Sequence, residues 1–189
     1  SMKLVFTITL SALFVFTGAA QKPRWTIGMS QCNLGEPWRV QMNADIKKEA
    51  DKHPELRVVF KDAQNDNLRQ RAHVEEFIKA GVDILIISPK EAAPLTPPVK
   101  AAFEKGIPVI VLDRRVLGNE YTCFIGADNK KIGNAAGNWI VRRLGGKGNV
   151  VELKGLMTST PGQDRHTGFM EAIKGSNIQI IFDADMKWL

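Results

Sequence analysis

The sequence predicts an α/β fold of doubly wound parallel sheets, and three observations predict it. Apolar runs without polar alternation recur along the chain, and such runs suit parallel strands covered on both faces. Each run is followed by a polar loop and then a helical stretch, and this unit repeats roughly every 25 to 30 residues through the first half. The third observation is the stretch 106–115, GIPVIVLDRR, in which a buried strand over 107–112 runs directly into an acid and two arginines. In open α/β sheets ligands bind beyond the carboxyl ends of the strands, where Asp113, Arg114 and Arg115 fall. A carboxylate accepts hydrogen bonds and a guanidinium donates a fixed fork, so the pair suits a polyhydroxyl ligand. The competing reading is a solvated turn after a strand.

The elements follow in order. The first strand is 25–30, and Pro37 opens a helix that runs over 38–52 and stops near His53-Pro54. A second strand covers 56–60 and a helix 68–79, with Gly81 as its C-terminal cap. A third strand covers 82–87, and a helix over 95–105 ends at Gly106. Right-handed crossovers bring the loops 31–37, 61–66, 88–94 and 113–115 to one edge. After Leu112 the spacing to the next strand, 121–126, is too short for a helical crossover. A helix over 130–144 follows, capped by Asp128 or Asn129, then a strand at 149–153, a helix at 164–174 and a strand at 178–182. The division is therefore a first α/β lobe over 21–127, complete in outline, and a truncated second lobe over 128–189.

Residues 1–20 read as a secretory signal: Lys3, an apolar core over 4–16 and the small residues Gly18, Ala19 and Ala20, with Gln21 starting the mature chain. A retained membrane anchor is the alternative, although the apolar core is short for a span. Export permits a disulfide, yet Cys32 and Cys123 each sit in or beside a strand, so buried free thiols are an equal alternative. The net charge of +6 is spread along the chain without a basic block or interleaved aromatics, which argues against nucleic acid as a partner.

Enzyme chemistry finds no constellation. His53, His73 and His166 lie far apart in sequence without metal spacing, so no metal or cofactor is expected. The run Gly145-Gly146-Lys147-Gly148 precedes a strand instead of following one, so it reads as a turn and not a phosphate loop. No G-x-G-x-x-G follows the first strand, which disfavours a dinucleotide enzyme.

Together, TIGMSQ (26–31), Trp38-Arg39, GVDILIISP (81–89), IPVIVLDRR (107–115), IGADN (125–129), VVELKG (150–155) and DRHTGF (164–169) carry a resemblance. The chain resembles the periplasmic sugar-binding proteins of bacterial import systems, of the ribose- and galactose-binding type, whose fold also forms the ligand core of lactose-repressor-like regulators. The pattern Ser30-Gln31 with Trp38-Arg39 is most similar to the galactofuranose-binding branch, since ribose binders carry a pair of Phe near Trp38. The resemblance implies a periplasmic, non-enzymatic protein with two lobes closing on a monosaccharide for delivery to the membrane permease of an ABC transporter. It implies Trp38, Arg39, Asp113, Arg114, Asp164 and Arg165 as ligand contacts, with Gln31, Asn65 and Ser88 on the same edge as weaker candidates. Plainer roles compete: Trp38 as a staple between helix and sheet, Arg39 as a solvated helix residue, Asp164 as a helix N-cap and Arg165 as a first-turn surface residue. A ligand-sensing ectodomain reporting to a kinase or chemoreceptor is the alternative function, and a Rossmann-like enzyme a remote one. Family members extend further than this chain, and a half-built second lobe with open sheet edges points to a homodimer as one outcome.

Overall fold

A computed structural model describes residues 23–188, so the signal segment read over 1–20 lies outside the described residues. The elements are β1 (Trp25–Gln31), α1 (Pro37–Ala50), β2 (Leu56–Asp62), α2 (Asn67–Ala80), β3 (Ile84–Ser88), α3 (Ala92–Glu104) and β4 (Val109–Leu112). They continue with β5 (Cys123–Ile125), α4 (Asn129–Arg143), β6 (Lys147–Lys154), α5 (Thr160–Ile173) and β7 (Asn177–Asp185). The first five strands form one sheet in the order β2-β1-β3-β4-β5, and β6 pairs with β7 in a second sheet. All these pairings are parallel, as the doubly wound reading requires.

Burial explains why β4 anchors the first lobe. Val109 and Val111 are fully buried against Val74, Phe77, Leu95 and Val99 from α2 and α3. On the opposite face Ile110 and Leu112 pack around Ile27, Met29 and Ile86, with Met42 and Ile46 of α1 beside them, but are only partly buried. The strand is thus fully covered on one face and partly on the other. One helix about 10 Å wide cannot roof five strands spaced about 4.8 Å apart.

Helix ends follow local chemistry. The Asp66 carboxylate accepts from the backbone N–H groups of Leu68 and Arg69 at 2.8 and 3.1 Å and starts α2. Gly81, at φ 66°, ends it in the left-handed conformation that glycine adopts without a Cβ penalty. Two helices begin earlier than the sequence suggests. α3 starts at Ala92, three residues ahead of the expected 95, so Pro94 falls in its first turn, and Pro97 and Pro98 lie inside the helix. α5 starts at Thr160 because Pro161 fits its first turn, the same signal that opens α1 at Pro37. The link 113–122 holds no helix, yet β5 still pairs parallel with β4. The link itself replaces the crossover helix: Val116 is buried in the core and Leu117 N–H donates to Thr96 Oγ1 at 2.9 Å.

The second lobe is held by its helices. A Cβ on Gly133 would lie 1.9 Å from the carbonyl oxygen of Arg165, and one on Gly168 would lie 2.0 Å from that of Lys130. α4 and α5 therefore cross backbone to backbone, and only glycine permits that approach. Among the described residues no helix is long and apolar enough to cross a membrane. Cys32 and Cys123 are both free, the first buried and the second exposed, which corrects the picture of two buried thiols.

Candidate functional site

The parallel register builds the floor of the site. Gln31 at the end of β1 pairs with Ser88 at the end of β3, and both side chains are fully buried. Arg39, one turn into α1, donates from Nη1 to Gln31 Oε1 at 3.1 Å and to Ser88 Oγ at 3.0 Å. Its side chain is 1% exposed, so it is not a solvated helix residue. Its Nη2 reaches Asp113 Oδ2 at 3.5 Å, and its Nε lies 3.3 Å from Glu36 Oε2. A buried guanidinium is tolerated because its charge and donors are shared among these partners.

Asp113 and Arg114 are aimed by a bend just past β4. Asp113 adopts φ 62°, a left-handed conformation uncommon outside glycine but tolerated by Asp, and its N–H donates to Ile125 O at 2.8 Å. The bend turns Arg114 inward, where Nη1 donates to Lys90 O at 2.9 Å. Burial, followed by the like charge of Arg39, presses the Arg114 guanidinium below its usual pKa. Among the described residues Arg114 Nε has no hydrogen-bond partner, and Arg39 Nε faces the Glu36 carboxylate as an ion pair without hydrogen-bond alignment. An unmet buried donor costs roughly 1–3 kcal/mol, which a ligand hydroxyl can offset.

The cleft over this floor has a volume of about 380 Å³ and is lined by Glu36, Trp38, Arg39, Asp113, Arg114, Pro161, Arg165 and Trp188. Trp38 is 51% exposed, so it faces the cleft rather than stapling the helix to the sheet. Arg165 enters from α5, with its Nε donating to Asn129 Oδ1 at 2.8 Å. Trp188 sits between the lobes, its ring centroid 4.9 Å from the Arg114 guanidinium and 5.9 Å from that of Arg165. An adjoining space of about 350 Å³ includes Asn65, Lys90 and Glu91, and shares Glu36, Arg114 and Trp188 with the first.

The structure thus gathers Trp38, Arg39, Asp113, Arg114 and Arg165 around one cleft. Gln31 and Ser88 lie beneath it as supports for Arg39, and Asn65 borders the adjoining space. Asp164 stands apart. It is the fifth residue of α5 rather than a cap, and its carboxylate pairs with Arg115 Nη2 at 2.6 Å. Sequence reasoning missed Glu36 and Trp188. Glu36 was visible as the acid just before Pro37 in a converging loop, and Trp188 as an aromatic just beyond the last strand of the second lobe. Among the described residues no group of His, Cys, Asp and Glu is placed to hold a metal ion.

A family model described as a periplasmic binding protein domain matches residues 27–188, and the chain belongs to that family. The ribose import binding protein of Bacillus subtilis is 31% identical over 192 residues, covering 95% of this chain and 62% of that protein. The galactofuranose-binding protein of Escherichia coli is 36% identical over 161 residues, covering 82% of this chain and 50% of that protein. Among solved structures, the fructose-binding periplasmic domain of a hybrid two-component system superposes with a TM-score of 0.83 at 48% identity, covering 87% of this chain and 55% of that one. The chain therefore spans about half to three-fifths of the length of these relatives.

Proposed function

We propose that this protein captures a monosaccharide in the periplasm, in the cleft between its lobes, without transforming it. The observation that carries the reading is the pair of buried arginines, Arg39 and Arg114, flanking the partly buried Asp113 beside the half-exposed ring of Trp38. A sugar presents an apolar C–H face and a rim of hydroxyls. An aromatic ring covers the face, and ionised groups hold the hydroxyls with roughly 1.5–3 kcal/mol per bond. In this arrangement Trp38 stacks on the ring, Asp113 accepts and Arg39, Arg114 and Arg165 donate. Fructose and galactofuranose are the first ligands to try, since the proteins named for binding them are 48% and 36% identical to this chain.

Tryptophan fluorescence titration with fructose, galactofuranose, ribose and galactose tests the reading, because Trp38 and Trp188 both line the cleft. Saturable quenching by one sugar at micromolar concentration, with the sugar recovered unchanged, is the expected result. No response from a folded sample to any of them contradicts it.

We place the output of capture in delivery to a membrane permease. A second reading, a sensor ectodomain, is favoured by the 48% identity to the fructose-binding domain of a hybrid two-component system. Deleting the protein in its host separates them. Loss of labelled-sugar uptake supports delivery, whereas intact uptake with a lost transcriptional response to the sugar supports sensing.

A further inference from the structure

Asp164 and Arg115 face each other across the lobes at 2.6 Å, and each is the chain neighbour of a cleft-lining arginine. Arg115 follows Arg114 in the bend after β4, and Asp164 precedes Arg165 in α5. The pair does not stand alone. Arg115 N–H donates to Thr160 Oγ1 at 2.8 Å, and on the other side of the cleft Ala92 N–H donates to Thr158 O at 3.1 Å. The first lobe thus grips the segment 158–164 of the second at two places. Arg115, Asp164 and the interlobe crossing at Gly126, Ala127 and Asp128 line one shared cavity on the hinge side. The Arg115 guanidinium is also fixed over the ring of Phe124, 5.5 Å from its centroid, so its fork is pre-aimed at the second lobe.

We infer that Arg115 and Asp164 form an interlobe clasp that holds the closed arrangement of the cleft without touching the ligand. They are positioning residues: the clasp sets Arg114 and Arg165 on opposite walls of one cavity. Resting on the sugar-capture reading, the inference gives Asp164 a role in closure instead of ligand contact. Because a ligand that binds the closed form is weakened by the fraction of chains left open, loosening the clasp lowers affinity for every ligand of the cleft by the same factor. Both side chains are partly exposed, at 45% and 29%, so the single substitutions leave the fold standing.

The test pairs a measurement without sugar and one with it. Spin labels on Lys48→Cys and Arg142→Cys, in a Cys123→Ser background, report the distance between α1 and α4 on opposite lobes. Without sugar, Arg115→Ala and Asp164→Asn each shift the distance distribution to longer values, Arg115→Lys shifts it less, and the exchanged pair Arg115→Asp with Asp164→Arg returns it toward the parent. Fructose and galactofuranose affinities fall together by about fivefold in the single variants, the range of a partly exposed ion pair, and recover in the exchanged pair. Unchanged distances in both single variants overturn the inference. So does a loss of all binding in Asp164→Asn while Arg115→Ala binds as the parent does, since that places Asp164 on the ligand. If neither sugar binds the parent protein, the capture reading fails, and the distances alone still decide the clasp.

Discussion

The two lobes contribute to the cleft in opposite ways. The first presents groups that are already buried and held: Arg39 on Gln31 and Ser88, and Arg114 on the Lys90 carbonyl. The second presents exposed groups on long side chains, Arg165 tethered by Asn129 and the ring of Trp188. Their cores differ in the same sense. Five strands and two helical layers bury the first lobe's floor, whereas β6 and β7 leave Val151, Leu153 and Phe182 more than half exposed on one face. The difference teaches that the first lobe's share of the cleft is buried and held within its own fold, whereas the second lobe's share is exposed side chains set against it. On the proposed capture reading, the buried half would select the ligand, because buried donors left unmet are costly, and the exposed half would add affinity.

Four substitutions sharpen that contrast. Arg39→Ala has the largest expected effect. It strips Gln31, Ser88 and Asp113 of a shared buried partner, so unfolding by urea shows a loss of about 3 kcal/mol and sugar titration shows no binding. Gly168→Ala comes next, because its Cβ would meet the Lys130 carbonyl oxygen at 2.0 Å. The forced separation of α4 and α5 costs about 1–3 kcal/mol, and amide exchange rises in the second lobe while the first stays protected. Arg165→Ala is smaller and cleaner: affinity drops by about tenfold, the worth of one charged hydrogen bond, with the urea midpoint unchanged. If Arg165→Ala instead unfolds the chain and Arg39→Ala does not, the contrast between buried and exposed halves is reversed.

The smallest effect is one of pH and belongs to the first lobe alone. His73 is held below its ordinary pKa of 6.5 by burial first, then by the positive charges of Lys61 and Arg69. The unfolded chain then binds more protons than the folded one just below that value. Stability is therefore full above pH 6.5 and falls as pH drops toward the folded-state pKa. His73→Asn flattens the corresponding part of a urea-midpoint profile between neutral and mildly acid pH. An unchanged slope removes His73 from the account.

The parallel order of the first lobe and the convergence of its loops were legible because uninterrupted apolar runs and caps such as Asp66 and Gly81 are local signals. The inward turn of Arg114 was not, since it depends on the left-handed backbone of Asp113 and on a carbonyl at Lys90, distant in sequence. Arg39 shows the same limit. Its helix carries almost no apolar periodicity in PWRVQMNADIKKEA, so nothing local says that an arginine is the residue turned inward. Only the register that sets Gln31 beside Ser88 creates its pocket. The pairing of Asp164 with Arg115 was not legible either, since Pro161 moves the helix start upstream and the partner lies 49 residues away in sequence.

The most direct test of the buried half-site is a crystal structure of the protein with the tightest-binding sugar from the titration. The account expects the sugar ring stacked on Trp38, with hydroxyls on Asp113 and on Nε of Arg39 or Arg114. A sugar seated elsewhere, or one held by second-lobe groups with Arg39 and Arg114 untouched, contradicts it.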